Sequence, residues 1–295
     1  MRWPAITALL ALFLVACAAP GSASTEVPVY DTGIDAEAWA RVPAGGFYQG
    51  QHDHAATIGA DYEIMVTNVT NAQYAAFLNA ALAAGKVTLT DDTVTGYYPG
   101  DPFRAYKHEV EIPAGEWALM PTEDPALRLT LDGTTFSAKP GYEDHPATMV
   151  SWFGAWAYCS FYDWRLPTDA EWEKAARGTD TRPYPWGDDI GAGHANFVDS
   201  RDPFEGRSET TPVGFYNGKT YDGYATLDAA SPYGVYDLAG NVWEWTGDVR
   251  AGTHLRGLRG GSFANYAYNL RIWTVNNAEP QHSSPRVGFR CARDG

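Results

Sequence analysis

No part of this chain sustains a long helical period of apolar residues. From about residue 39 to the C-terminus, short apolar runs are broken by Gly, Pro, Asn and Asp. With 30 Gly and 19 Pro in 295 residues, much of the backbone must turn: Gly supplies positive φ, and Pro fixes φ while removing an N–H donor. Helix signals are few and well capped. Thr70-Asn-Ala-Gln73 has the form of a capping box, followed by Tyr74, Phe77 and Leu78 at helical spacing. Ser151 precedes a face of Trp152, Ala155, Trp156 and Cys159, and Thr168-Asp-Ala-Glu171 opens a helix that stops at Gly178. Residues 81–145, with TGYYPGDP, LDGTT and KPGYEDHP, read as a hairpin-rich excursion and not as a separate domain. The pattern predicts an α+β chain with low regular secondary structure. Eleven Trp and an apolar fraction of 45 % supply enough core for it.

Charge and the N-terminus bound where such a chain works. A formal charge of −15 argues against nucleic acid, since phosphate binding requires clustered Lys and Arg. Arg2 is followed by an apolar run from Ala5 to Ala16, too short to span a bilayer and shaped like a signal segment. Leu14-Val15-Ala16-Cys17 resembles a bacterial lipobox. The expected organisation is a lipoprotein signal at 1–17 with Cys17 as the lipidation site, a tether at 18–38 and one domain at 39–294. Ala18, rather than Asp, after Cys17 points to an outer-membrane lipoprotein facing the periplasm, touching the membrane only through its lipid anchor. Cys159 and Cys291 then remain, and an exported setting favours a bridge between such a pair. The sequence alone does not bring the two sulfurs together.

The stretch YDLAGNVWEW, Tyr236 to Trp245, raises the question of chemistry by placing Asp237, Gly240, Val242 and Glu244 in one turn between tryptophans. Around it stand RVPAGGFYQG (41–50), VTNVTNAQYAAFLNA (66–80), HPATMVSWFGAWAYC (145–159), RLPTDAEWEKAARG (165–178), YPWGDD (184–189), YGVYDLAGNVWEWTGD (233–248), LRGGSFAN (258–265) and VGFRCARD (287–294). In this order the blocks resemble the formylglycine-generating enzyme / sulfatase-modifying-factor family, whose fold is similar to a C-type lectin. The resemblance covers essentially all of 39–294.

That resemblance implies structural Ca²⁺. The segment matching Asp237 to Glu244 supplies side-chain oxygens from its ends and carbonyls from Gly240 and Val242, a hard-oxygen set suited to Ca²⁺. A second family site matches Asn196 and Phe197 together with Asp202 and Phe204, with Asp222-Gly-Tyr224 as a rival in an apparent insertion at 217–230. The resemblance also implies that Cys159 and Cys291 are bonded. The family's oxidases hold copper with two Cys five residues apart after the GGS motif, because soft Cu(I) needs thiolates. Here the motif is Gly260-Gly261-Ser262, the matching positions are Asn265 and Leu270, and no Cys lies between Cys159 and Cys291. No copper is expected.

Other chemistry is weakly signalled. His52 and His54 share a strand face but imply no third metal ligand, and His145 and His194 read as hydrogen-bonded structural residues. No phosphate loop or nucleophile elbow is present. In the family, the face near GGS binds an extended peptide; here SFANYAYNLRIWTVNNAEP (262–280) offers Asn265, Tyr266 and Asn269 as candidate cleft residues. The expectation is a lipid-anchored, calcium-stabilised and non-catalytic envelope protein that binds a peptide, protein or glycan. The competing expectation is an accessory oxidoreductase of the same family with altered chemistry.

Overall fold

The computed structural model describes residues 26–295. The expected signal segment at 1–17 with Cys17, and residues 18–25 of the expected tether, lie outside the described residues.

Three α-helices form among the described residues, each where local chemistry starts one. α1 (Asn71–Ala83) is opened by a complete capping box, with Thr70 accepting from the Gln73 amide and Gln73 accepting in return from the Thr70 N–H. α2 (Trp152–Phe161) is capped by the Ser151 hydroxyl on the Gly154 amide, and α3 (Asp169–Arg177) by the Thr168/Glu171 box, with Gly178 at φ +76° ending it. Satisfying these orphan amides stabilises each helix start by about 1 kcal/mol. Gly154 also allows a close approach: a Cβ there would sit 2.5 Å from the Leu119 carbonyl, so α2 lies directly on the strand Gly115–Pro121.

The strands are short and spread over several small sheets. Trp39–Val42 and Ala292–Asp294 flank Tyr62–Met65, both antiparallel to it, so the start and end of the domain are fastened side by side. A four-stranded sheet runs Val275–Ala278, Arg256–Arg259, Trp243–Val249 and Val287–Gly288, the last pair being parallel. The excursion holds an antiparallel meander of Val87–Leu89, Thr93–Tyr98 and Gly115–Pro121, then the hairpin of Leu129–Asp132 and Thr135–Ala138. It is not a separate domain. Val94, Leu119, Leu129 and Phe136 share one apolar core with Tyr74 and Phe77 of α1, Phe153 of α2, Trp245 and Phe289.

The Cys159–Cys291 disulfide lies inside that core, both residues fully buried and their Cα atoms 5.7 Å apart. Residues 26–38, expected to belong to the tether, are anchored on the domain. Val27 and Tyr30 pack against an aromatic cluster around Phe204, Phe215 and Tyr221, and the Thr32 carbonyl accepts from Asn217 and Lys219. Residues 26–38 have no periodic signal; their anchorage comes from tertiary contacts with Phe204, Phe215, Asn217, Lys219 and Tyr221, and from Gln73 of α1.

Candidate functional site

The Tyr236–Trp245 turn is built by backbone that few residues adopt: Asp237, Gly240 and Asn241 all have positive φ, at +59°, +83° and +61°. Gly240 is obligatory, because a Cβ would come within 2.3 Å of the Asn196 carbonyl. That close approach joins the two segments expected to bind cations. Asn241 fixes it: its amide donates to the Asn196 carbonyl at 2.8 Å, its carbonyl accepts from Phe263, and its buried side chain exchanges hydrogen bonds with the Thr211 backbone. Asn241 is not among the residues that the sequence singles out. Its only local signal is an Asn after a Gly, which suits positive φ.

Glu244 is held very differently from a metal ligand. Its carboxylate is wholly buried and accepts from four N–H groups: Asn68 Nδ2 at 2.9 Å, Trp172 Nε1 at 2.7 Å, and Arg290 Nε and Nη2 at 2.7 Å each. The four lone-pair directions of a carboxylate are thereby occupied, and the bidentate guanidinium supplies the positive charge. The expected four-residue cage of Asp237, Gly240, Val242 and Glu244 therefore does not fit Ca²⁺ as a set. Asp237 differs from Glu244. It is buried, accepts the Gly214 amide at 2.7 Å and forms no ion pair among the described residues. Burial pushes its carboxyl up to about 6.

In the second set, Asn196, Phe197, Asp202 and Phe204 are all buried. Asp202 accepts from the Phe204 amide, the Ser200 hydroxyl and the Tyr216 hydroxyl, at 2.9, 2.9 and 2.8 Å. The rival Asp222 is exposed on a hairpin turn and accepts from Tyr30. Asn196 donates to the Glu209 carbonyl at 2.7 Å. This set has the oxygen donors a hard cation wants, already engaged by protein hydrogen bonds. Among the described residues no three His, Cys, Asp or Glu side chains assemble as a metal group, and His52 and His54 are exposed with rings 6.2 Å apart. His194 accepts from the Gly191 amide and stacks on Trp186; His145 pairs through Nδ1 with the Thr210 hydroxyl.

Beside these turns lies a cavity of about 620 Å³, walled by Asn196, Asp202, Thr210, Phe263, Arg128 and Arg286. The expected cleft residues do not line it. Asn265 folds back to accept from the Ser262 amide and hydroxyl, while Tyr266 is exposed and stacks on Tyr268 at 6.3 Å. Asn269 is half-buried in the 3-10 turn Ala267–Leu270, and its amide donates to Tyr266. The cavity is reached instead by their neighbours Phe263 and Ala264.

Comparison with known proteins gives this arrangement a family. The domain described as sulfatase-modifying factor enzyme 1-like matches residues 26–295. The chain belongs to that family. It is 36 % identical over 175 residues to the formylglycine-generating enzyme of Mus musculus, covering 51 % of this chain and 45 % of that protein. It is 38 % identical over 158 residues to the inactive C-alpha-formylglycine-generating enzyme 2 of Mus musculus, covering 50 % of this chain and 48 % of that one. The chain thus spans about half the length of these curated relatives. Among solved structures it is similar to PvdO from Pseudomonas aeruginosa, with TM-score 0.57 at 24 % identity, covering 87 % of this chain and 94 % of that one. Relatives with and without enzyme activity in their names therefore share the domain, so the site itself has to decide what this member of the sulfatase-modifying-factor family does.

At Asn265 and Leu270, the positions that the resemblance matches to the oxidases' thiolates, this chain carries no sulfur. Leu270 is fully buried in an apolar cluster with Tyr184, Phe197 and Ala239, and lies against Gly240 and Gly261. Asn265 spends its side-chain oxygen on Ser262. Both cysteines among the described residues are joined to each other.

Proposed function

We propose that this sulfatase-modifying-factor domain is a binding protein of the bacterial envelope, lipid-anchored through Cys17, which takes a peptide, protein or glycan in the cleft beside Gly260-Gly261-Ser262. The observation that carries the reading is Leu270: a packed side chain occupies the position where the oxidase chemistry needs a reactive, accessible thiolate. The loop after Ser262 reaches, through Phe263 and Ala264, a cavity of about 620 Å³, within the range of roughly 300–1,000 Å³ typical of ligand sites. Calcium stabilisation is proposed at Asp237, the buried carboxylate without an ion pair, and not through Glu244.

The test of the non-oxidase reading uses the full chain in detergent, Cu(I) and a cysteine-containing peptide. The expected result is no stoichiometric copper binding and no oxygen consumption; turnover of the peptide thiol would remove the proposal. Anchorage has its own measurement. Cys17→Ser should abolish incorporation of labelled fatty acid and release the protein from the membrane fraction, whereas unchanged labelling would place the anchor elsewhere.

A further inference from the structure

Charges of both signs line the cavity. Arg128 and Arg286 line it, as do Glu205 and Glu209. None of the four forms a salt bridge among the described residues, although opposite charges share one cavity wall. Glu205, Glu209 and Arg286 are exposed and Arg128 is half-buried, so all four can meet a ligand from solvent. The Arg128 guanidinium lies 4.5 Å from the Tyr142 ring centre and that of Arg286 lies 6.0 Å from the Phe263 ring centre. An arginine laid on an aromatic face is oriented while its in-plane N–H donors stay free, and those donors match a carboxylate bidentately. Glu205 and Glu209 enter the lining from the segment that also carries Asp202, Ser208 and Thr210. Glu209 is pinned there at φ +66° because Asn196 holds its carbonyl, and the buried Thr210 that follows is held by His145.

We infer that this cavity recognises a ligand carrying both a carboxylate and an amine or guanidine, with Arg128 and Arg286 receiving the anion and Glu205 and Glu209 the cation. The inference rests on the cleft reading above and names the ligand's chemistry. Two sources present that chemistry: a peptide segment with an acidic and a basic side chain, or a free amino acid. The cavity is far larger than an ion requires, and its two signs of charge disfavour a uniformly acidic or basic partner despite the net charge of −15.

The experiment is calorimetry on the full chain in detergent with four capped pentapeptides of one framework. They bear Glu and Lys, two Glu, two Lys, or two Gln, and free lysine is titrated alongside. The Glu/Lys peptide is expected to bind at least tenfold tighter than the other three, weakening as salt is raised. Arg128→Gln and Glu205→Gln should each cost about tenfold for that peptide, which is about 1.4 kcal/mol per variant. Each should leave the affinity for the Gln peptide and the melting temperature unchanged. Binding of free lysine without the peptide supports the charge arrangement and identifies an amino acid as its source. Equal affinity for all four peptides overturns the charge assignment while leaving the cleft reading standing. No binding by any of the five probes overturns the ligand assignment, and the cleft reading then stands only for a protein or glycan.

Discussion

Two buried ionisable side chains pull this protein's acid stability in opposite directions. Burial lifts Asp237 from 3.8 to about 6, so between those values the native state holds a proton that the unfolded chain has released. Stability then falls as pH rises through that window, and at pH 7 without a cation the charged carboxylate costs about 3 kcal/mol. His145 is the reverse. Burial, with Arg128 nearby, pushes it down from 6.5 to about 3, so the unfolded chain binds the extra proton and stability falls as pH drops from 6.5. Each slope is about 1.4 kcal/mol per pH unit, so the two offset one another between pH 4 and 6. Asp237→Asn in EDTA should therefore gain stability over the wild type as pH rises from 4 to 6, by urea midpoints. His145→Asn, whose side-chain amide takes the place of Nδ1 toward Thr210, should gain as pH falls. Added Ca²⁺ should restore the wild type toward Asp237→Asn at pH 7; coincident EDTA and Ca²⁺ curves would withdraw calcium from this residue. Asp237 was legible as a special position. Its missing ion pair was not, because nothing local tells a carboxylate which cation it will meet.

The turn from Tyr236 to Trp245 shows how one element positions the rest. Trp243 and Trp245 bury as their spacing demands, and the pattern of Gly240 between two acids marks a turn. What the turn touches is another matter. Its contact with Asn196 depends on the absence of a side chain at Gly240. Gly240→Ala faces both the positive φ and the Asn196 carbonyl and should destabilise by more than about 2 kcal/mol. The cost should appear in the melting temperature and in a weakened cavity, read by peptide titration. A change below about 0.5 kcal/mol would mean that the two segments are not held together in this way. The same reasoning explains the misplaced cleft residues. In the loop after the GGS motif Asn265 turns onto Ser262, and Phe263 and Ala264 reach the cavity instead.

Across the whole molecule, a chain of short strands is stabilised by closing large loops. The Cys159–Cys291 bridge spans 132 residues, and the strand pairing of Ile64 with Ala292 fastens the same end of the chain to its beginning. Cross-linking a loop of that length stabilises by about 4–5 kcal/mol in the chain-entropy description. Cys159→Ser with Cys291→Ser should lower the unfolding free energy by an amount of that order and abolish the effect of reductant on the urea midpoint. If reductant shifted wild type and double variant equally, the bridge would not be what it acts on. The excursion at 81–145 belongs to this scale as well. Its turns were visible in sequence, and its lack of a separate core follows from Leu119, Leu129 and Phe136 packing under α1 and α2.

Local chemistry by itself determined the three helices, through caps that need only three or four neighbouring residues, and it determined the absence of a thiolate pair after Gly260-Gly261-Ser262. The α+β class follows from the density of turns. Only the tertiary structure decided the partners of the buried charges. Glu244 receives Asn68, Trp172 and Arg290 from 176, 72 and 46 positions away, and so belongs to an arginine rather than to a cation cage. A carboxylate's role is set by the donors that surround it in space, and those donors reach it through contacts between segments far apart in the chain.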